Sequence, residues 1–290
     1  PVRSEMAQKS EEASEDSQFV QITDEDTVVT HDEIVGEKNL TAGRPWKGTD
    51  FAKQNSPTGW APDTFAVPKG LEVNFNFWKD IYTKYNSDQG VIHDADYIDL
   101  VYEELDFTSI TSRSDLNPRQ KESAKKKMVK EAKNRAIRML EEFSKLEDGS
   151  NLPPQKKKIW EYFQRIDEKN RYLLASKKSR LRFQLGQRDR MIQGIFFSGR
   201  YIEDFEKIFA DAGLPMELVR LPFVESSFNV LARSKVGASG LWQIMPYTTK
   251  GYFKKDSSID LRNHPIEATK LAAKLMKVNY NLLQSWPLAL

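Results

Sequence analysis

LPFVESSFNVLARSKVGASGLWQIMP, residues 221–246, is the stretch on which the reading of this chain turns. It sets the carboxylate of Glu225 among apolar residues, follows with the turn Gly237-Ala238-Ser239-Gly240, and closes on Trp242-Gln243-Ile244-Met245-Pro246. A surface loop has no need of Trp and Ile, and a core helix is badly served by Glu and two glycines. Such conflict between local rules is expected at a functional site. Pro215 predicts a helix through Leu218 and Leu221 to Val224, which Pro222 kinks or restarts. On a continuous helix Glu225 lies four residues after Leu221 and seven after Leu218, on one face with them. A carboxyl on that buried face resists ionisation, and a raised pKa suits an acid that protonates a leaving oxygen. The bland alternative makes Glu225 a surface residue or a cap for Ser226 or Ser227. The two glycines let the backbone turn tightly and approach a ligand, but no Gly-Lys-Ser/Thr follows to make a phosphate loop. Amide and apolar groups side by side suit a sugar, which shows both hydroxyl edges and apolar faces. Trp242 and Met245 are equally at home in a core, and Ser234 in a turn.

Upstream, Pro153 or Pro154 starts a helix through Ile159, Phe163 and Ile166, and another is expected from about Ala175 to Ser198, ended by Gly199. A short helix from Ile202 to Phe209 closes at Gly213. Asn117-Pro118 opens a long helix striped with Met128, Ala132, Ile137, Leu140 and Phe143. Before it, Val91 to Asp94 and Tyr97 to Tyr102 read as a small β-hairpin, and Phe75, Phe77, Trp78, Ile81 and Tyr82 recur at helical spacing. Residues 1–58 crowd Glu11, Glu12, Glu15, Asp16, Asp24, Glu25 and Asp26 among few large apolar residues and are expected to form a flexible acidic linker. Within it Phe19-Val20-Gln21-Ile22 is strand-like, and order is expected from Trp60 onward. Three parts follow: the tail, an accessory region at 59–177 that is mainly helical with short strands, and a catalytic region at 178–290.

Glu225-Ser226-Ser227-Phe228, then Ser234, then residues 237–246 resemble the signature of the lytic murein transglycosylases, which share the goose-type lysozyme fold. The steps from Glu225 to Ser234 and on to Gln243 match that pattern. Asp260-Leu261-Arg262, Pro265-Ile266-Glu267-Ala268, Ala272-Ala273 and Trp286-Pro287-Leu288-Ala289-Leu290 resemble the helices that follow. Ser198-Gly199-Arg200-Tyr201 and Leu214-Pro215 look most like the membrane-bound type D branch. The resemblance covers about residues 178–290. It implies a mainly α fold, a lysozyme-like helical domain behind a helical accessory domain with a small hairpin. It implies Glu225 as a single acid/base, with Ser234, Gly237, Ser239, Gln243 and Met245 on the substrate. In the family the glutamic acid protonates the oxygen between N-acetylmuramic acid and N-acetylglucosamine, then takes a proton from the muramic 6-hydroxyl as a 1,6-anhydro ring closes. The partner is a peptidoglycan glycan strand, and the place the bacterial periplasm or outer envelope. No second acid lies within residues 221–246; Asp256, Asp260 and Glu267 are the nearest later ones, and Asp260 reads as structural. If one of them faced Glu225, a water-using lysozyme would fit better. A non-catalytic wall-binding or scaffold protein is the other alternative. The family's Ala-x-Tyr-Asn segment would follow Leu290, so the domain is expected to be incomplete at that end.

Composition narrows the rest. The 290 residues carry 44 Lys and Arg against 42 Asp and Glu, so no global field points to nucleic acid or membrane. Lys125-Lys126-Lys127, Lys156-Lys157-Lys158 and Lys177-Lys178 lack interleaved aromatics and read as solvated helix faces, so no nucleic-acid partner is expected. With no cysteine, disulfides and thiol chemistry are excluded. His31, His93 and His264 are scattered, so neither metal nor cofactor is expected. The chain begins at Pro1 and holds no bilayer-spanning run, so any signal or membrane anchor is expected upstream.

Overall fold

The computed structural model describes residues 62–253 and 259–290. The expected acidic linker, the strand-like Phe19-Val20-Gln21-Ile22, His31, Trp60 and Asp256 lie outside the described residues. In chain order the elements are α1 (Glu72–Thr83), β1 (Gln89–Asp94), β2 (Val101–Asp106), α2 (Thr108–Thr111), α3 (Pro118–Phe143), α4 (Pro154–Phe163), α5 (Arg171–Ala175) and β3 (Leu181–Leu185). Then come α6 (Arg188–Ser198), α7 (Ile202–Asp211), α8 (Leu221–Glu225), α9 (Pro265–Leu283) and α10 (Trp286–Ala289), with short 3-10 turns between several of them. The fold is mainly helical, as expected. No helix among the described residues is long and apolar enough to cross a membrane.

Two compact units form. One holds residues 91–184; the described residues of the other are 62–90, 185–253 and 259–290. Residues 62–90, grouped by sequence with the accessory region, therefore sit with the C-terminal residues. Specific bonds hold them there. The amide of Gln187 donates to Ile81 O at 2.9 Å, that of Arg188 to Tyr85 O at 2.8 Å, and that of Ser87 to Asp189 Oδ1 at 2.9 Å. Gly186 is the seam, since a Cβ there would stand 2.3 Å from Asn86 O.

In the first unit a hairpin forms, but its second strand is Val101–Asp106 and not the expected Tyr97–Tyr102, because Tyr97–Leu100 turn the chain over the Asp94 carboxylate. A third strand joins the hairpin in the order β2-β1-β3. That strand corrects the helix expected from Ala175 to Ser198: α5 ends at Ala175, β3 follows, and only Arg188–Ser198 is helical. Leu181, Phe183 and Leu185 alternate at the strand period, and Arg180 O accepts from Ala95 N at 2.7 Å beside β1. Asp94, at the end of β1, is fully buried. Its charge is tolerated because Arg180 Nη2 (2.6 Å), Tyr102 Oη (2.7 Å) and the amides of Asp96 and Tyr97 all donate to it. Leu140 and Phe143 of α3 pack on Ile159 and Phe163 of α4 and on Tyr172, with Trp160 stacked on Tyr172 at 5.1 Å. Asn117 and Gln120 cap the start of α3 reciprocally, each side chain accepting the other's backbone amide at 2.9 Å. Asn117→Ala should cost about 1 kcal/mol in a urea titration followed by far-UV circular dichroism.

The second unit is built round α7, whose Ile202, Phe205 and Phe209 are buried with Leu218, Val219, Phe228, Leu241, Trp242 and the Ala268, Leu271 and Ala272 face of α9. Phe209 stacks on Trp242 at 5.5 Å, and Gly213 turns the chain at φ +68°. This core fixes the backbone on both sides of Glu225.

Candidate active site

The continuous helix expected up to Glu225 does not form. Residues Met216–Arg220 wind as a 3-10 turn that becomes α8 at Leu221. A 3-10 turn holds three residues per turn, which breaks the register from Leu218 to Glu225. Glu225 therefore ends α8, and its side chain is exposed where a buried face was expected. The acidity expected of it survives. Neighbouring protein displaces enough water to push the carboxyl above its ordinary 4.5, and desolvation is the cause. The group thus meets solvent on one side and protein on the others.

Its surroundings are held under strain. Ser227 (φ +51°) and Phe228 (φ +57°) follow it in the left-handed region, which non-glycine residues seldom adopt outside functional sites. Burial of Phe228, 4.5 Å from the Phe223 ring, holds that geometry. Ser226 donates through Oγ to Leu241 O at 2.9 Å and so ties the end of α8 to the second half of the motif.

That second half is a small closed loop. Ser239 bridges antiparallel to both Arg233 and Ile244, and the amide of Gly240 donates to Ala232 O at 2.8 Å. Arg262, just 8% exposed, clamps it from behind. Its Nη1 donates to Gly237 O at 2.8 Å and Ile244 O at 3.0 Å, while Nε and Nη2 hold Asp260 at 2.9 and 2.7 Å. Asp260 is thus structural, and hydrogen bonding to Arg262 holds its pKa below the usual carboxylate range. Glu267 is paired with Lys270 Nζ at 2.7 Å. Gly240 (φ +78°) lies so close that a Cβ would stand 1.9 Å from Arg262 O. Gly240→Ala should cost at least about 2 kcal/mol in the same titration, since backbone conformation and space both forbid it.

Residues 205–290 match the family described as Transglycosylase SLT domain. The C-terminal residues of this chain are an SLT domain. Membrane-bound lytic murein transglycosylase D of Escherichia coli (strain K12) is 42% identical over 65 residues, 22% of this chain and 14% of that protein. A putative tributyltin chloride resistance protein of Alteromonas sp. (strain M-1) is 44% identical over 66 residues, 22% of this chain and 31% of that protein. The similarity thus spans less than a third of either relative.

Within the SLT domain the residues predicted to bind substrate divide by where they point. Gln243, half-buried at φ +44°, donates Nε2 to Gly240 O (2.9 Å) and Ala232 O (3.3 Å), which turns its carbonyl oxygen away from the loop. Met245 is half-buried where the chain leaves the loop. Ser234 accepts the amide of Ala238 at 2.9 Å and closes the turn around Gly237, whose φ is +93°. Ser239 is buried, and its hydroxyl donates to Asn263 Oδ1 at 2.7 Å, so it holds the loop rather than facing the surface. Trp242 is core, its Nε1 donating to Thr269 Oγ1 at 2.8 Å.

Two titratable groups from outside residues 205–290 escape the sequence reading, and the first of them senses Glu225. Tyr82, in the last turn of α1, feels the charge of both Glu225 and Arg190; burial first and Glu225 second raise its phenol pKa. Arg190 stands in the first turn of α6, one turn before Gly194, where a Cβ would stand 3.2 Å from both Phe223 Cδ1 and Ser227 O, so α6 packs closely on the end of α8. Burial lowers the guanidinium pKa, against the pull of Asp189 and Tyr82. Tyr82 was legible as one of a helical series of apolar residues; Arg190 carried no signal among its neighbouring arginines. No three His, Asp or Glu side chains gather as a metal site among the described residues.

Proposed function

We propose that the chain is a peptidoglycan lytic transglycosylase of the bacterial envelope, with Glu225 as its acid and then its base. The observation that carries this reading is the state of Glu225: a carboxyl raised by desolvation, in an SLT domain, while Asp260 and Glu267 are held by Arg262 and Lys270. Among the described residues Glu225, Asp260 and Glu267, only Glu225 is outside an ion pair, which suits a reaction that needs no second carboxylate.

In the first step protonated Glu225 gives its proton to the oxygen joining N-acetylmuramic acid to N-acetylglucosamine, and the bond from that oxygen to the muramic anomeric carbon breaks. The carbonyl of the muramic N-acetyl group supports the positive charge left on that carbon. In the second step the Glu225 carboxylate takes the proton of the muramic 6-hydroxyl while its oxygen bonds to the anomeric carbon. The 1,6-anhydro ring is closed, no water is consumed and Glu225 is protonated again. Gln243 and Met245 would line the glycan, one by its amide oxygen and one by its apolar side chain; Ser234 and Gly237 shape the turn between them, and Ser239 holds it.

Digestion of purified sacculi tests this. Muropeptides lighter by one water than hydrolysed ones are expected in the mass spectrum. Reducing-end products at the hydrated mass would make the protein a lysozyme, and sacculus binding without soluble products would make it a wall-binding protein.

A further inference from the structure

Helix α1 presents an aromatic face that the core does not use. At about 100° per residue, Phe75, Trp78 and Tyr82 fall within one narrow arc beside the buried stripe of Phe77 and Ile81. Phe75 is 50% and Trp78 42% exposed, while Tyr82 is half-buried. Large aromatics left open along one helix face mark a binding surface more often than chance exposure does. The stripe also has a direction. Its Tyr82 end is pinned to the start of α6 by the Gln187 N–Ile81 O and Arg188 N–Tyr85 O bonds, and α6 packs through Gly194 on Ser227, two residues past Glu225. The Phe75 end of the stripe stands seven residues away, about 10 Å along the helix.

We propose that Phe75, Trp78 and Tyr82 form a platform that continues the glycan site outward from Glu225, stacking the apolar faces of successive sugar rings of a peptidoglycan strand. The occupant follows from continuity: a strand that places a glycosidic oxygen at Glu225 and runs along α1 meets these rings in sequence. Ring faces suit the C–H faces of a pyranose, and the Tyr82 hydroxyl gives the inner end a polar handle for sugar hydroxyls. The surface carries Lys79 and Asp80 beside the stripe and no run of cations, which disfavours a polyanion. This inference rests on the proposed reaction for its substrate class and adds a subsite outside residues 205–290.

The test uses the full chain and purified, uncrosslinked murein glycan strands sorted by length, with binding followed by intrinsic fluorescence or by calorimetry. Trp78→Ala and Phe75→Ala should each weaken binding of long strands about tenfold, the scale of one lost ring contact, with a loss that shrinks as strands shorten. Val73→Ala, also exposed on α1 but on its other side, is the control and should bind as the parent does. Circular dichroism and melting temperature verify that each variant is folded. Undiminished long-strand affinity in folded Trp78→Ala and Phe75→Ala, from a parent that binds and cleaves, overturns the platform alone. A folded variant that loses self-association and not glycan affinity overturns it as well. A parent that neither binds nor cleaves strands overturns both this inference and the proposed reaction.

Discussion

Glu225→Gln should lower the release of soluble muropeptides by about 100-fold to 10,000-fold, the usual contribution of a positioned acid or base, while the protein still sediments with sacculi. Glutamine keeps the shape and one hydrogen-bonding edge of the side chain but has no proton to give at neutral pH. Binding should persist because the loop from Ala232 to Met245 is held by Arg262 and by Ser226, neither of which bonds to the carboxyl. Undiminished turnover would remove Glu225 from the reaction. A loss of binding equal to the loss of turnover would make it a structural group.

The same variant should melt at a higher temperature near neutral pH. Desolvation raises the folded-state pKa of Glu225 above its unfolded value, so folding weakens as pH rises from the ordinary carboxylate range through the raised pKa. Above that pKa the native protein carries an ion it solvates poorly. Glutamine removes the ion, and the gain should vanish below the ordinary carboxylate range, where the parent is protonated folded and unfolded. The alkaline limb of kcat/KM should follow the same raised pKa, since protonation of the glycosidic oxygen requires the acid form.

What could be read from the sequence was whatever local chemistry fixes. Asn117-Pro118 announces α3 because a cap and a proline at the first turn are satisfied within a few residues. The motif round Glu225 stood out because its residues violate the rules of both loop and core. What could not be read depends on partners distant in sequence. Leu181, Phe183 and Leu185 fit a strand or one side of a helix equally until β1 is beside them. The hydroxyl of Ser239 turns inward because Asn263 is there to accept it, which Gly237-Ala238-Ser239-Gly240 does not foretell. Tyr82 senses the Glu225 charge because backbone bonds to Ile81 O and Tyr85 O pin the end of α1 to the start of α6. In each case the missing information was a contact, not a propensity.

Arg262→Met should destabilise the folded protein by about 3 kcal/mol, more than any other single change to the loop, because it removes a donor from four acceptor oxygens on three residues at once. Methionine can follow the apolar stem of the arginine, so packing is largely kept. What is lost is the fork: Gly237 O and Asp260 Oδ2 lose the guanidinium, while Ile244 O keeps the Ser239 amide at 3.2 Å and Asp260 Oδ1 keeps the backbone amide of residue 262 at 3.2 Å. Arg262→Lys should recover only part of this, since one ammonium cannot span the carboxylate and both carbonyls. The pH dependence has the opposite sign to that of Glu225. Asp260 is held below its ordinary pKa by Arg262, so the stability it adds is present above the unfolded value and fades as pH falls through the lowered one. Both gaps should therefore narrow on acidification, that to Arg262→Met because the parent loses stability and that to Glu225→Gln because the parent gains it. Activity should report the same change, because Gln243 hangs its amide on Gly240 O and Ala232 O, which the clamp keeps in place. A rise in KM with the melting temperature lowered is the expected result; an unaltered melting temperature would mean that water replaces the guanidinium without cost and that the loop holds its own shape.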